Sequence, residues 1–336
     1  MKISGYMKEL GHNVKLLEGY SLLTDYHEVY ISKVFNFTKI PIGISRFKNI
    51  KIGGTGFFGD GGENLPQVIE HHRPDYTLYD DFISKEIDRG IKHNRFKDYQ
   101  DYSIGFATRG CFRKCSFCVN QKYDKAIRHA PIKEFYDPSR KYIYLWDDNI
   151  LAYSKWHEVF DELAEINRPF QFRQGMDIRL MTEEKAKIIS QSKYRGDFIF
   201  AFDHIKDKEL IEKNLALWKN HCSKTTKLYV LCAYESQDET DIINTFERIK
   251  ILMKFGCLPY IMRYDSYESG KYRGMYINLA RWCNQPSFFK KKSFRQYCEM
   301  NGDNSSTMRY LKEFEKDHPD IAKQYFDLRF DELTSY

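Results

Sequence analysis

The sequence predicts a mixed α/β fold: a partial (β/α)6, TIM-like barrel, preceded by a small Rossmann-like α/β domain and followed by a helical tail. Short apolar runs rich in Ile, Val, Tyr and Phe alternate with helical patterns, which is typical of parallel strands joined by crossover helices. Six such units fit between about residues 102 and 264, fewer than the eight of a complete barrel. The chain has 336 residues and is 42% hydrophobic, enough for a sizeable core.

The first 92 residues predict the smaller domain. "YMKELGHNVKLL" (6–17) predicts a helix, a turn and a strand, and residues 28–35 predict a buried strand. Residues 50–56 predict another strand that runs into a glycine-rich loop. A strand normally precedes the first helix of such a domain, whereas this chain begins almost inside that helix.

Residues 93–275 predict the barrel. Three intervening helices are expected at 154–167, 182–193 and 238–256, with Thr182 as an N-cap and Gly256 as a C-cap. Residues 276–336 predict a helical extension. The six barrel strands are expected at 102–108, 141–146, 169–174, 197–203, 227–234 and 258–264.

Composition limits the class of protein. The formal net charge of +6 permits an anionic partner without requiring one. Nothing in the sequence resembles a membrane span of 18 or more apolar residues or a signal segment, so we expect a cytoplasmic protein with no membrane partner. In a reducing compartment the eight cysteines are expected to be thiols or metal ligands rather than disulfides.

Three of these cysteines, Cys111, Cys115 and Cys118, lie within eight residues, just after the first barrel strand. A structural zinc site needs four ligands, and no second Cys or Cys/His pair has suitable spacing. A redox pair would use only two thiols. Three thiolates without a fourth suit a [4Fe–4S] cluster with one iron left open, since four would close the cluster for electron transfer.

This motif resembles that of the radical S-adenosylmethionine superfamily. Cys111, Cys115, Phe117 and Cys118 match it position by position, and its place after the first strand of a six-unit barrel matches too. The resemblance implies a [4Fe–4S] cluster whose open iron chelates the amino and carboxylate groups of S-adenosylmethionine. It also implies a reductant such as flavodoxin or ferredoxin, and a 5′-deoxyadenosyl radical that abstracts hydrogen from a substrate.

Polar residues at the strand ends are the remaining candidates for cofactor binding. Asp147, Asp148 and Asn149 end the second barrel strand. They resemble groups that accept a hydrogen bond from the methionine amino group, and the alternative is an N-cap or Asx turn. Near the end of the third strand, arginine would suit the cofactor carboxylate and a polar group its ribose, or the charged residues form a salt bridge in the barrel mouth. These residues are Arg173, Gln174, Asp177 and Arg179. Asp203 ends the fourth strand and could face either the cofactor or the substrate.

The front domain resembles a reduced form of the cobalamin-binding domain that precedes the barrel in many relatives of this superfamily. Its first strand is missing, and "DYHEVY" lacks the Asp-x-His-x-x-Gly pattern, so we do not expect cobalamin to bind. Lys290, Lys291 and Lys292 could contact a phosphate backbone, or lie on a solvated helix face. The substrate stays open among a peptide, nucleic acid or small metabolite. The alternative function is a non-enzymatic iron–sulfur or zinc protein that binds nucleic acid.

Overall fold

The computed structural model describes residues 1–21 and 23–336 as a mixed α/β protein with small parallel sheets. The chain divides into two compact units, Met1–Phe170 and Gln171–Tyr336. Within the described residues the strands form separate small sheets rather than one closed barrel. The expected domain boundaries after residues 92 and 275 stay predictions.

Ten strands run through the described chain. In order they are β1 Val29–Ser32, β2 Ile50–Gly53, β3 Tyr102–Gly105, β4 Thr108–Arg109, β5 Ile127–Arg128, β6 Tyr142–Leu145, β7 Phe170–Phe172, β8 Phe198–Ala201, β9 Thr226–Cys232 and β10 Leu258–Arg263. Eight of the nine strands expected from the sequence are confirmed, with ends shifted by at most a few residues.

Fifteen α-helical segments accompany these strands in the described chain, and none of them is long and apolar enough to cross a membrane. They are α1 Lys2–Glu9, α2 Gln67–Glu70, α3 Asp80–Asp88, α4 Lys97–Gln100, α5 Ile132–Phe135, α6 Trp156–Ile166, α7 Glu183–Gln191, α8 Lys208–His221, α9 Glu239–Lys254, α10 Arg273–Cys283, α11 Pro286–Phe289, α12 Phe294–Glu299, α13 Ser306–Asp317, α14 Pro319–Tyr325 and α15 Phe330–Leu333.

The three helices expected at 154–167, 182–193 and 238–256 are confirmed as α6, α7 and α9. The Thr182 side chain caps α7 by accepting a hydrogen bond from the Lys185 backbone N–H at 3.3 Å. Gly256 follows α9 with φ +59°, the left-handed conformation typical of a residue just past a helix C-terminus.

The front of the first unit contains a two-stranded parallel sheet, in which β1 pairs with β2 from Val29↔Ile50 to Ser32↔Gly53. Leu23, Val29 and Ile44 form its small buried core. Helix α1 is confirmed, but the strand expected at the end of residues 6–17 does not form. Leu17 instead packs on that core from a loop, so its apolar side chain is accommodated without strand pairing.

A second parallel sheet in the first unit begins with β3 and β6, paired from Tyr102↔Tyr142 to Gly105↔Leu145. Gly105 is needed because a Cβ there would lie 2.3 Å from the Phe135 ring. The chain then reaches β7, which starts at the last residue of the unit and crosses into the next. Both strands β3 and β6 end at the same edge, which places the segments that follow them side by side.

The second unit contains a parallel sheet in the order β10-β9-β8. Its core is aromatic: Trp218 of α8 is fully buried and packs edge-on against Phe198 and Phe200 of β8. The Trp218 indole N–H donates to the Thr226 hydroxyl at 2.9 Å, so its one polar atom is satisfied. This packing holds α8 against β8 and β9. The polar candidates of this unit follow the carboxyl ends of its strands.

Candidate iron–sulfur loop

The three clustered cysteines lie on a loop whose two ends are held together. After β3 the chain forms β4, and β5 pairs with it antiparallel, Thr108 opposite Arg128 and Arg109 opposite Ile127. Gly110 opens the loop with φ +92°, and a Cβ there would lie 2.5 Å from the Lys125 carbonyl oxygen. Only glycine satisfies both the backbone conformation and this close approach.

Inside the loop, a side-chain amide ties the backbone around the second and third cysteines. The Cys118 N–H donates to the Cys115 carbonyl at 2.9 Å. The Gln121 Nε2 donates to the carbonyls of both residues, at 2.5 Å and 2.9 Å. Lys114 has a left-handed φ of +49°, and its ammonium pairs with Asp124 at 2.8 Å. These contacts fix a compact turn that keeps the cysteine side chains half-buried.

The sulfur atoms of Cys111 and Cys118 accept hydrogen bonds from nitrogen donors. The Arg113 backbone N–H lies 3.5 Å from the Cys111 Sγ, and the Asn149 Nδ2 lies 3.4 Å from it. The Asn120 backbone N–H lies 3.4 Å from the Cys118 Sγ. Such donors stabilise a thiolate and tune the reduction potential of an iron–sulfur cluster.

Asp147, just past β6, anchors the start of this loop. Its carboxylate accepts from the Ala107 N–H at 3.2 Å, the Thr108 N–H at 2.5 Å and the Thr108 hydroxyl at 2.6 Å. Burial raises the pKa of Asp147 to about 6, although the three donors act in the opposite direction. Asp147 therefore holds β4 to the carboxyl end of β6.

Asp148 and Asn149, which follow Asp147, contact the loop at Gly110 and Cys111. Asp148 accepts from the Gly110 N–H at 2.6 Å. Asn149 precedes a short 3-10 helix, Ile150–Ala152, but its side chain does not cap that helix. The alternative of a cap or Asx turn is therefore not what these side chains do. While the Asn149 Nδ2 donates to the Cys111 Sγ, its Oδ1 is buried with no hydrogen-bond partner among the described residues.

The candidates after the third strand lie in the second unit. Asp177 and Arg179 form an ion pair at 2.7 Å, and Arg179 also pairs with Asp207 at 2.6 Å. These partners raise the pKa of Arg179 despite its burial. The salt-bridge alternative is thus realised for these two residues. The Arg173 guanidinium lies 3.3 Å from the Gln171 Oε1, and Gln174 is exposed.

Asp203 follows β8 in the second unit and lines a small pocket with His204, Glu235 and Arg248. Burial raises the pKa of its carboxyl. His204 Nδ1 contacts Glu235 Oε1 at 2.6 Å. Arg248 of α9 is buried and donates to the backbone carbonyls of Asp203 at 2.5 Å and Leu231 at 2.8 Å, so it ties the ends of β8 and β9 together.

Sequence reasoning missed four of these features. Arg248 was not singled out, although it stands among apolar residues on the buried face of α9, which is the available signal. The roles of Gln121 and of the Asn149–Cys111 pair had no signal in the sequence, because each joins positions that only folding brings together. The antiparallel β4–β5 pair was also missed, since two-residue strands show no periodicity.

The three loop thiols, all half-buried, are the candidate metal donors. In a cubane each thiolate binds a different iron, so the sulfurs spread over a cluster face instead of converging on one point. Among the described residues, no group of three or more His, Cys, Asp or Glu side chains converges as a single metal ion would require. No protein-family model matches the chain, and no curated protein matches it.

Proposed function

We propose that the protein is a radical S-adenosylmethionine enzyme in which Cys111, Cys115 and Cys118 ligate a [4Fe–4S] cluster with one open iron. The observation that carries this proposal is the Asn149 amide. Its nitrogen donates to the Cys111 sulfur while its buried oxygen lacks a partner among the described residues. A buried, unpaired carbonyl oxygen costs free energy unless a ligand supplies a donor.

The ammonium group of S-adenosylmethionine is a donor of the required kind. When bound, the cluster and S-adenosylmethionine supply reductive cleavage to a 5′-deoxyadenosyl radical that abstracts a substrate hydrogen atom. The chain's own residues hold the sulfurs and orient the cofactor. Asn149 accepts from the ammonium group, Asp147 and Asp148 hold the loop, and Phe117 lies beside the third cysteine as a cofactor contact.

The finer fold belongs to this proposal as well. Strands β3, β6, β7, β8, β9 and β10 follow one another with intervening helices, as the six strands of a partial barrel would. In that arrangement Arg173, Gln174 and Asp203 are contacts for the cofactor carboxylate and ribose, while Asp177 and Arg179 keep their ion pair. A reduced flavodoxin or ferredoxin is the proposed electron donor.

Reconstitution under anaerobic conditions tests the proposal. Protein loaded with iron and sulfide and reduced with dithionite is expected to convert S-adenosylmethionine to 5′-deoxyadenosine, measured by liquid chromatography. The Cys115→Ala variant should lose both the brown colour and this activity. Cys222→Ala is the matched control, because it removes a buried cysteine far along the chain from the loop.

Two results would contradict the proposal. One is a fully loaded cluster that leaves S-adenosylmethionine intact, and the other is zinc in place of iron. Either would favour the non-enzymatic alternative. Full cluster content in Cys115→Ala would instead show that the ligand assignment is wrong.

A further inference from the structure

The segment 29–59, which contains β1 and β2, has an uneven charge. It carries five basic residues and no acidic residue, although acidic residues make up 47 of the 336 in the chain. The basic residues are Lys33, Lys39, Arg46, Lys48 and Lys51. A one-signed cluster of this kind attracts an anionic partner.

Most of these cations point their charge to solvent. Lys51 pairs with Glu28 at 2.8 Å. Among the described residues, no carboxylate forms an ion pair with Lys33, Lys39, Arg46 or Lys48. Lys39 and Lys48 are exposed. The segment therefore presents positive charge that the described chain does not neutralise.

Aromatic rings stand among these cations. Phe35 is 57% exposed and Phe37 is 76% exposed, and their rings stack with centroids 5.1 Å apart and planes 13° apart. Singly exposed apolar side chains are normal on a protein surface, whereas two stacked rings form a contiguous apolar patch. Two parallel rings with an open outer face form a platform on which a planar base can stack.

The backbone holds this platform in place. The chain leaving β1 and the chain leaving β2 are joined because the Gly56 N–H donates to the Lys33 carbonyl at 2.8 Å, and the Thr55 hydroxyl donates to the Val34 carbonyl at 2.8 Å. Gly54 has φ +96°, and a Cβ there would lie 2.4 Å from the Lys33 carbonyl oxygen. The ammonium of Lys33 lies 5.5 Å from the centre of the Phe57 ring, so charge and ring alternate.

The same segment lines a cleft of about 300 Å³, with Tyr20, Pro41, Ile42 and Phe47 among its walls. That volume lies near the lower end of the range for small-ligand pockets. Phe47 is 42% exposed, so this cleft offers another ring to a bound base.

We propose that residues 29–59 form a surface for single-stranded nucleic acid, in which Phe35 and Phe37 stack on bases and the lysines and arginine contact phosphates. A membrane-binding element usually separates an apolar face from a charged face along a helix. Here residues 33–43 are not helical, and the cations are interspersed with the rings. Interspersed rings and cations are typical of proteins that bind single strands.

Fluorescence anisotropy with labelled oligo-dT and oligo-rU of about 12 nucleotides measures this binding. The unaltered protein should bind both, and Phe37→Leu should weaken binding about tenfold because it keeps an apolar side chain but removes the ring. Phe37→Tyr should bind like the unaltered protein. Circular dichroism checks that each variant is folded, and Phe35→Leu replaces Phe37→Leu if that variant does not fold.

The salt dependence provides a second readout. The double variant Lys39→Ala/Lys48→Ala should reduce the slope of log K against log salt by about 1.4, since each phosphate contact to a single strand contributes about 0.7. Lys290→Ala/Lys291→Ala is the matched control, because it removes two exposed lysines outside the segment and should leave the slope unchanged.

Three outcomes would overturn the proposal. They are equal binding by Phe37→Leu and Phe37→Tyr, a slope that changes only in the Lys290→Ala/Lys291→Ala variant, and binding to phosphatidylserine vesicles without binding to oligonucleotides. The measurements are repeated with Cys115→Ala. Oligonucleotide binding that persists in this variant separates the surface from the iron–sulfur proposal, so each can fail without the other.

Discussion

Asn149 uses one amide group in two directions. Its nitrogen donates to the Cys111 sulfur, and its oxygen is buried without a hydrogen-bond partner among the described residues. A residue that served only to pack the loop would be expected to satisfy both atoms. The proposed contact with the ammonium group of S-adenosylmethionine would supply the donor that this oxygen lacks.

Replacing Asn149 with leucine, which has a similar size, is expected to weaken S-adenosylmethionine binding by roughly ten- to 150-fold, because a hydrogen bond to a charged group contributes roughly 1.5–3 kcal/mol. The iron content should stay unchanged, since the three thiols remain. Isothermal titration of the reconstituted protein measures the affinity.

Asn149→Asp is the matched control, because it keeps an oxygen acceptor and loses the donor to the Cys111 sulfur. It should retain most of the affinity while making the cluster harder to reduce, which a potentiometric titration would detect. Unchanged affinity in Asn149→Leu would remove Asn149 from the cofactor site.

Asp147 predicts a dependence of stability on pH. Its pKa rises from an ordinary value of 3.8 to about 6 because the carboxyl is buried. Between about pH 4 and pH 6 the unfolded chain releases this proton and the folded chain keeps it. The free energy of unfolding should therefore fall by up to about 3 kcal/mol as the pH rises through this range, and level off above it.

Urea unfolding at several pH values, compared between the unaltered protein and Asp147→Asn, isolates this contribution. The variant should lack that part of the pH dependence, while losing a constant amount from altered hydrogen bonds to β4. Curves that stay parallel from about pH 4 to pH 7 would show that Asp147 has the same pKa in both states.

At the scale of elements, the loop depends on Gly110. Its φ of +92° and its approach to the Lys125 carbonyl both exclude a side chain. Gly110→Ala is expected to destabilise the first unit by about 1–3 kcal/mol, or more if the loop must move, and to lower the iron content on reconstitution.

Gly90→Ala separates the effect of the positive φ from the effect of the close contact with the Lys125 carbonyl. Gly90 has φ +91°, but nothing lies within 4 Å of its Cβ position, so this variant carries the backbone strain alone. Thermal unfolding and iron analysis of both variants provide the comparison. Equal losses of stability and of iron would mean that the contact with Lys125 contributes nothing.

At the scale of the whole molecule, the charge balance sets solution behaviour. The net charge is +6 at pH 7 and falls towards zero near pH 8.7. Because a protein near zero net charge repels its own copies least, light scattering at fixed protein concentration should rise as the pH approaches this value. A scattering minimum there would show that the exposed apolar side chains, and not net charge, control self-association.

Across the whole molecule, the sequence predicted regular elements better than contacts between distant residues. The longer strands and helices α6, α7 and α9 were predictable because each carries a periodic apolar pattern, and Thr182 and Gly256 because caps have local signals. The expected strand near Leu17 failed because its apolar residues could pack from a loop. The hydrogen bonds of Asp147 and Asn149 to β4 and Cys111 were beyond prediction in detail, because they link positions about 40 residues apart.

The paired strands β4 and β5 form a stem that separates the cysteine loop from the rest of the unit. Since Thr108 and Arg128 are paired, the two ends of the segment between them lie next to each other. Its length and chemistry can therefore change without moving the scaffold, while Asp147 and Asp148 grip only the stem and its first residue. Grafting a foreign segment onto this stem, or lengthening it after Gln121, would alter the surroundings of the sulfur atoms and the contacts of Cys111 with Asn149 and of Lys122 with Asn64.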